Sequence, residues 1–357
     1  MVRREIRALT GVRGVAALLV AVYHCTMPSA MPLSYTPDCV LHGYLAVDLF
    51  FVLSGFVLAF TYGRLFHDIV TAKATGDFLL KRIARIYPAY FVISIVVVIR
   101  YSHRESMHDN HLLIANLFLI QAWGFGFRSI LGNAWSVSTE VVAYLFFPWI
   151  ILSLARIRAA KPLLLILAIG GILSVARFGH GVNGPLDVVP ISGVFAVIRC
   201  LSGFIFGVLA FDLTRNEKVL QLLSQKIVNN VALCVIALLI ALVHHDLVLF
   251  FSFPALVLIL YVNQYWGKAL FGNRAIFYVG TISYSLYLVH PFAQGFVSAH
   301  VAKLAYHSGI ANTIGIIATL TLSCLLATVS YYLIEHPGRR FLASALRLRS
   351  VVAAKPA

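Results

Sequence analysis

The chain has 357 residues, of which 61% are hydrophobic and 11% charged. Soluble domains carry about 25% charged residues, so a single water-facing globule is excluded and lipid is the expected solvent for the long, repeated apolar stretches. The formal charge of +15 would suggest a nucleic-acid partner in a soluble protein; here the basic residues cluster between apolar spans, where they set membrane orientation instead.

The opening MVRREIR leads into an apolar run that Arg13 and Gly14 interrupt and that extends to residue 27. It reads as a retained first span, not a cleaved signal. Segments long enough to cross about 30 Å of hydrocarbon fall near 8–27, 43–62, 84–101, 141–155, 163–178, 194–212, 229–243, 247–265, 277–299 and 310–334. Residues 112–127 are also apolar, but short and Gly-rich toward their end. Ten spans with a cytoplasmic N-terminus keep most lysines and arginines inside. An eleventh span at 112–127 would push Arg156, Arg158, Lys161 and later clusters outside. The sequence therefore predicts an all-α polytopic transmembrane helix bundle of about ten spans, both termini cytoplasmic. Residues 102–140 become an external loop that dips partly into the bilayer. Residues 1–341 form one membrane domain, and 342–357 a basic tail on the cytoplasmic face.

Ionisable residues inside spans are costly and point to function. Arg13 and His24 share the first span. At about 100° and 1.5 Å per residue they face one side, with a rise between them of about 16 Å. Asp48 lies in GYLAVDLFFVLSGF near the outer end of the second span, at a depth expected to match His24. A carboxylate beside an imidazole fixes its tautomer, although Asp48 could equally pair with a basic residue elsewhere in the bundle. Arg82 and Arg85, in KRIARIYPAY, share a helix face. They suit phosphate binding as well as a positive-inside anchor. In NAWSVSTEVVAY, Ser136 and Glu140 share a face, and Glu140 is expected at the depth of His24 and Asp48; the same pattern serves as a helix start. Arg199 and His290 are further intramembrane groups, and Glu335 ends the last span.

The five cysteines lack metal-ligand spacing. Cys200, Cys234 and Cys324 fall in spans as packing residues. Cys25 and Cys39 flank one loop, where a disulfide is one option. No HExxH, P-loop or Rossmann glycine pattern occurs, so no metal, nucleotide hydrolysis or redox cofactor is expected.

These motifs, in this order, are similar to those of the acyltransferase-3 family of bacterial membrane acyltransferases. The resemblance rests on Arg13 to His24, GYLAVDLFFVLSGF, Arg82 to Arg85, Ser136 to Glu140 in WSVSTE, ISYSLYLVHP and IEHP, and it covers nearly the whole chain. It implies a ten-span enzyme of the bacterial inner membrane that moves an acyl group, commonly acetyl, from acyl-CoA. The acceptor would be a hydroxyl on an extracytoplasmic or membrane-bound glycan or glycolipid. His24 would be catalytic with Arg13 in support, Arg82 and Arg85 would contact the donor, and Glu140 would belong to the active site. Acyl-CoA is then a substrate, and no cofactor is bound permanently.

A mechanism consistent with these positions threads the donor from Arg82 and Arg85 toward His24, with Asp48 or Glu140 orienting the imidazole. His24 acts as general base or carries the acyl group transiently. Asn133 and Ser136 are candidates to stabilise the oxyanion, and Asn133, Trp135, Ser136 and His290 to line the substrate site. A transporter or flippase for a lipid-linked sugar is the alternative from a different class, and a membrane sensor or scaffold a third.

Overall fold

The computed structural model describes residues 6–27, 36–188, 193–262, 265–304 and 309–346, and all regular structure among them is helical. In chain order the helices are α1 (Arg7–Thr26), α2 (Asp38–Leu41), α3 (Ala46–Tyr62, preceded by a 3₁₀ turn at Gly43–Leu45), α4 (Ala72–Arg100), α5 (Asn110–Leu117), α6 (Trp135–Arg156), α7 (Ala160–Phe178) and α8 (Phe195–Leu213). They continue with α9 (Glu217–Ser224), α10 (Lys226–Leu242), α11 (Asp246–Val262), α12 (Trp266–Phe271), α13 (Arg274–Thr281), α14 (Ser283–Leu304) and α15 (Gly309–Ser330). A π turn at Tyr331–Glu335 joins α15 to α16 (His336–Ala345).

Among the described residues, seven helical segments are long and apolar enough to cross a membrane, or eight if α9 and α10, bent by 82°, form one broken span. The chain is thus a multi-pass membrane helix bundle. The expected segment 247–265 is the shorter α11, and 277–299 is divided between α13 and α14. Arg3, Arg4 and the tail from 347 lie outside the described residues, and α16 runs across the domain boundary expected at 341. Cys25 and Cys39 are free thiols.

Two helices begin earlier than their apolar stretches suggest, which matters for the site. Thr71 caps α4, its hydroxyl accepting from the Ala74 amide at 3.2 Å. Arg82 and Arg85 therefore sit about three turns inside α4, not at its mouth. Helix α6 starts at Trp135, so Glu140 lies more than a turn inside it.

Small residues let the central helices meet backbone to backbone. A Cβ on Gly55 of α3 would stand 2.0 Å from the Phe204 carbonyl oxygen of α8, and one on Gly207 of α8 would stand 2.0 Å from that of Val52. Such close packing replaces the hydrophobic drive that lipid cannot supply.

The segment between α5 and α6 has no spanning helix, and its irregular backbone is held by side chains. Asn116 donates to the carbonyls of Leu112 and Arg128, each at 2.9 Å, and accepts from the Ile130 amide at 2.9 Å. Ser138 donates to the Leu119 carbonyl at 2.7 Å and accepts from the Ala122 amide at 3.2 Å. Non-helical backbone buried in protein survives at membrane depth when satisfied in this way.

Candidate active site

Helix α1 carries two polar centres, one at each end of the Arg13–His24 interval. At the first, the half-buried Arg13 lies within electrostatic reach of Arg85, Glu140, Glu335 and Tyr144. Glu140 accepts a hydrogen bond from Ser54 of α3 and lies within electrostatic reach of Tyr144. Glu335 accepts from Ser285 at 2.7 Å. Arg82 donates to the Tyr62 hydroxyl at 2.9 Å, and its guanidinium carbon stands 5.0 Å from that ring's centroid. Both Arg82 and Arg85 lie within electrostatic reach of Tyr144. Three guanidiniums thus converge with two carboxylates among phenols and hydroxyls.

At the second centre, His24 Nδ1 stands 2.8 Å from the Val20 carbonyl oxygen. A carbonyl only accepts, so Nδ1 carries the hydrogen and Nε2 keeps its lone pair. The peptide carbonyl of His24 in turn accepts from Gln294 at 2.8 Å. The His290 ring of α14 lies beside His24, centroids 5.2 Å apart. His290 is 0% exposed, and neither of its ring nitrogens has a hydrogen-bond partner.

The acids expected to flank His24 are elsewhere. Asp48, 0% exposed, is gripped by Arg199 of α8 through Nε at 2.9 Å and Nη2 at 2.6 Å. Arg199 also donates to the Tyr44 carbonyl at 3.2 Å and lies 5.5 Å from the Trp135 ring centroid. Trp135 therefore packs on a guanidinium. Glu140, more than a turn inside α6, meets Ser54 and Arg13 instead of His24. Asp48 and Glu140, expected to orient His24, are instead bonded by Arg199 and Ser54. The backbone of α1 itself, through Val20, supplies the orienting oxygen.

Asn133 and Ser136, expected as oxyanion donors, both bond Tyr287. The Asn133 amide group donates closely to the Tyr287 carbonyl, and Ser136 Oγ lies 2.8 Å from the Tyr287 hydroxyl, which donates to the Asn133 carbonyl at 2.8 Å. Their side-chain donors close a network around Tyr287, whose ring is 5.9 Å from that of His290.

Sequence reading missed Asp187. It lies in the connection between α7 and α8, accepts from the Tyr23 hydroxyl at 3.0 Å and from Asn183 at 2.7 Å, and is within electrostatic reach of His24. Asp246, at the start of α11, accepts from the Tyr44 hydroxyl at 2.6 Å and the Leu186 amide at 2.8 Å. Asp187 sits in a connection and Asp246 at a helix start, where the sequence carries no signal that a connection folds back over the bundle. Among the described residues, no group of three or more His, Cys, Asp or Glu is arranged to hold a metal ion.

An imidazole with a free lone pair, shielded by packed helices, can take a proton from a hydroxyl. A cluster of guanidiniums from α1 and α4, centred on Arg13 about 16 Å along α1 from His24, can hold phosphate groups. The chain is similar to a "Putative O-acetyltransferase" of Staphylococcus aureus strain MRSA252, 24% identical over 376 residues that cover 97% of this chain and 59% of the relative. It is similar to a "Putative peptidoglycan O-acetyltransferase" of Bacillus subtilis, 26% identical over 370 residues, 94% of this chain and 55% of the relative. A peptidoglycan O-acetyltransferase of Listeria monocytogenes is 28% identical over 187 residues, 48% of this chain and 28% of the relative. The chain thus spans less than two thirds of the length of these relatives. No solved structure matches it. The family model described as an acyltransferase domain matches residues 6–331, and with its motifs on one helical frame the chain belongs to the acyltransferase-3 family.

Proposed function

We propose that the chain is a membrane O-acyltransferase that moves an acyl group, acetyl in the simplest case, from acyl-CoA to a hydroxyl of a cell-envelope glycan or glycolipid. The observation that carries this reading is the His24 tautomer, with Nδ1 committed to Val20 and Nε2 left as a base. Two of the relatives are named for peptidoglycan, a glycan polymer, which supports an extracytoplasmic glycan acceptor. The bacterial origin of the relatives supports a bacterial cell membrane. On the orientation expected from the lysine and arginine bias, with the N-terminus inside, the Arg82 and Arg85 end of the bundle faces the cytoplasm and the His24 end the outside.

In this arrangement the donor phosphates engage Arg82 and Arg85, with Arg13 adding positive charge deeper in the bundle. The pantetheine arm spans the interval along α1 and presents the thioester at His24. The acceptor O–H gives its proton to His24 Nε2 as its oxygen bonds to the thioester carbonyl carbon. The carbonyl electron pair moves onto oxygen. Collapse of that intermediate breaks the C–S bond, and the departing thiolate takes the proton from His24. Asp48 serves the frame through Arg199, and Glu140 sets the charge around Arg13.

The test is purified protein in detergent, supplied with acetyl-CoA labelled in the acetyl group and with peptidoglycan fragments or glycolipids as acceptors. Label should enter the acceptor in the wild type and not in His24→Ala, with the variant still monodisperse. Label transfer by His24→Ala at the wild-type rate would reject the assignment. Acetyl-CoA left intact by the wild type would favour a transporter.

A further inference from the structure

Among the described buried groups without a hydrogen-bond partner, His290 is the one whose two ring nitrogens are both unbonded. A neutral imidazole always carries one N–H and one lone pair. Buried polar groups in native proteins are nearly always hydrogen-bonded, and leaving one unpaired opposes folding. His290 is fully buried, and neither nitrogen is bonded. The carbonyls of Leu286 and Tyr287, on its own helix, lie nearby but outside hydrogen-bond geometry. Its closest functional neighbour is the base itself, ring centroid to ring centroid at 5.2 Å. Of the side-chain donors that could have served the oxyanion, the Ser136 hydroxyl and one N–H of the Asn133 amide are already given to Tyr287. The proposed reaction therefore has a base and no assigned partner for the charge that develops on the carbonyl oxygen, beside a donor that has no partner.

The geometry points to His290 as the oxyanion donor of the acyl transfer, its N–H bonded to the thioester carbonyl oxygen while His24 takes the acceptor's proton. This rests on the acyltransferase reading above. Hydrogen bonds of about 2.8 Å let two rings this close reach the two oxygens of one tetrahedral carbon. The proton account is unchanged by His290. It keeps its hydrogen throughout, its bond shortens as the carbonyl electron pair moves onto oxygen, and it relaxes when the C–S bond breaks. No carboxylate is hydrogen-bonded to His290, and a lone buried cation would be disfavoured. A neutral donor held in place in a dry site stabilises a developing oxyanion without reorganising as the charge forms.

The experiment compares wild type, His290→Phe, which keeps an aromatic ring without a donor, and His290→Gln, which keeps an N–H. Two readouts are taken in detergent. The first is the infrared carbonyl stretch of bound acetyl-CoA labelled with ¹³C at the carbonyl, which needs no turnover. A hydrogen bond from His290 lowers that frequency in the wild type and in His24→Ala, and the lowering disappears in His290→Phe. The second is turnover, where loss of one oxyanion donor lowers kcat by about 10²- to 10³-fold with KM for acetyl-CoA little changed. His290→Gln recovers part of that loss. An unshifted carbonyl in the wild type, an equal shift in His290→Phe, or a loss expressed only in KM would overturn the assignment. A carbonyl shift that depends on His290 in a protein that transfers no acetyl to any acceptor would keep this inference and sink the proposed function instead.

Discussion

The two ends of the Arg13–His24 interval solve opposite problems on one helix. Around Arg13 the bundle gathers formal charge: Arg82, Arg85, Glu140 and Glu335, interleaved with Tyr62, Tyr144 and Ser285. Around His24 the neighbouring groups are an imidazole, a phenol and backbone carbonyls, with the nearest acid, Asp187, already bonded to Tyr23. The difference teaches where binding and chemistry divide. Charge that grips phosphates belongs where partners of both signs keep it tolerable in lipid. A base must keep its lone pair, so it is held by a carbonyl that fixes its tautomer without neutralising a proton it has yet to take.

The sharpest way to break this comparison is at the base. His24→Ala should lower acetyl transfer by about 10³- to 10⁴-fold, the upper part of the range for a general base, with donor binding retained; labelled transfer and an acetyl-CoA binding isotherm read the two separately. Next comes the frame between the ends. Arg199→Ala leaves Asp48 buried and unpaired and should destabilise the fold by about 3–5 kcal/mol, read as a lower unfolding temperature in detergent. The double variant Arg199→Met with Asp48→Leu should recover much of that stability, because an apolar pair of similar bulk needs no partner. At the charged end, Arg82→Ala with Arg85→Ala should weaken acetyl-CoA affinity by about 10- to 100-fold, as charge-assisted bonds to phosphate are lost, while acceptor KM moves little; an isotherm unchanged by both substitutions would remove the donor from this end. The smallest effect is expected from Ser54→Ala, which removes one hydrogen bond to Glu140 and should lower stability by about 1–3 kcal/mol, with kcat falling less than in the arginine variant.

Much of this frame is legible in the sequence because helical periodicity is strict. An interval of eleven residues nearly closes three turns, so periodicity alone puts Arg13 and His24 on one stripe. Composition likewise demands a helix bundle in lipid. The partners across helices were not legible. Asp48 meets Arg199 only because glycines let α3 and α8 touch, and Glu140 falls to the Arg13 level because α6 begins at Trp135. Counting depth from the edges of apolar stretches errs where a polar turn of helix precedes them, as it does for α4 behind Thr71. The orienting group of His24 was invisible for another reason: every residue carries a carbonyl, so nothing in the letters distinguishes that of Val20.

The π turn at Tyr331–Glu335 has a consequence for how this chain is compared with its relatives. Such a turn holds one more residue than an α-helical path of the same rise, which rotates everything beyond it by about 100°. Glu335 reaches Ser285 from this stretch of widened winding. Removing a single residue upstream within α15 would keep the helix continuous yet swing that carboxylate toward the acyl chains of the bilayer. Alignments through IEHP that tolerate a one-residue gap would thus equate residues on different sides of the helix, and winding, more than letter identity, is what has to be matched there.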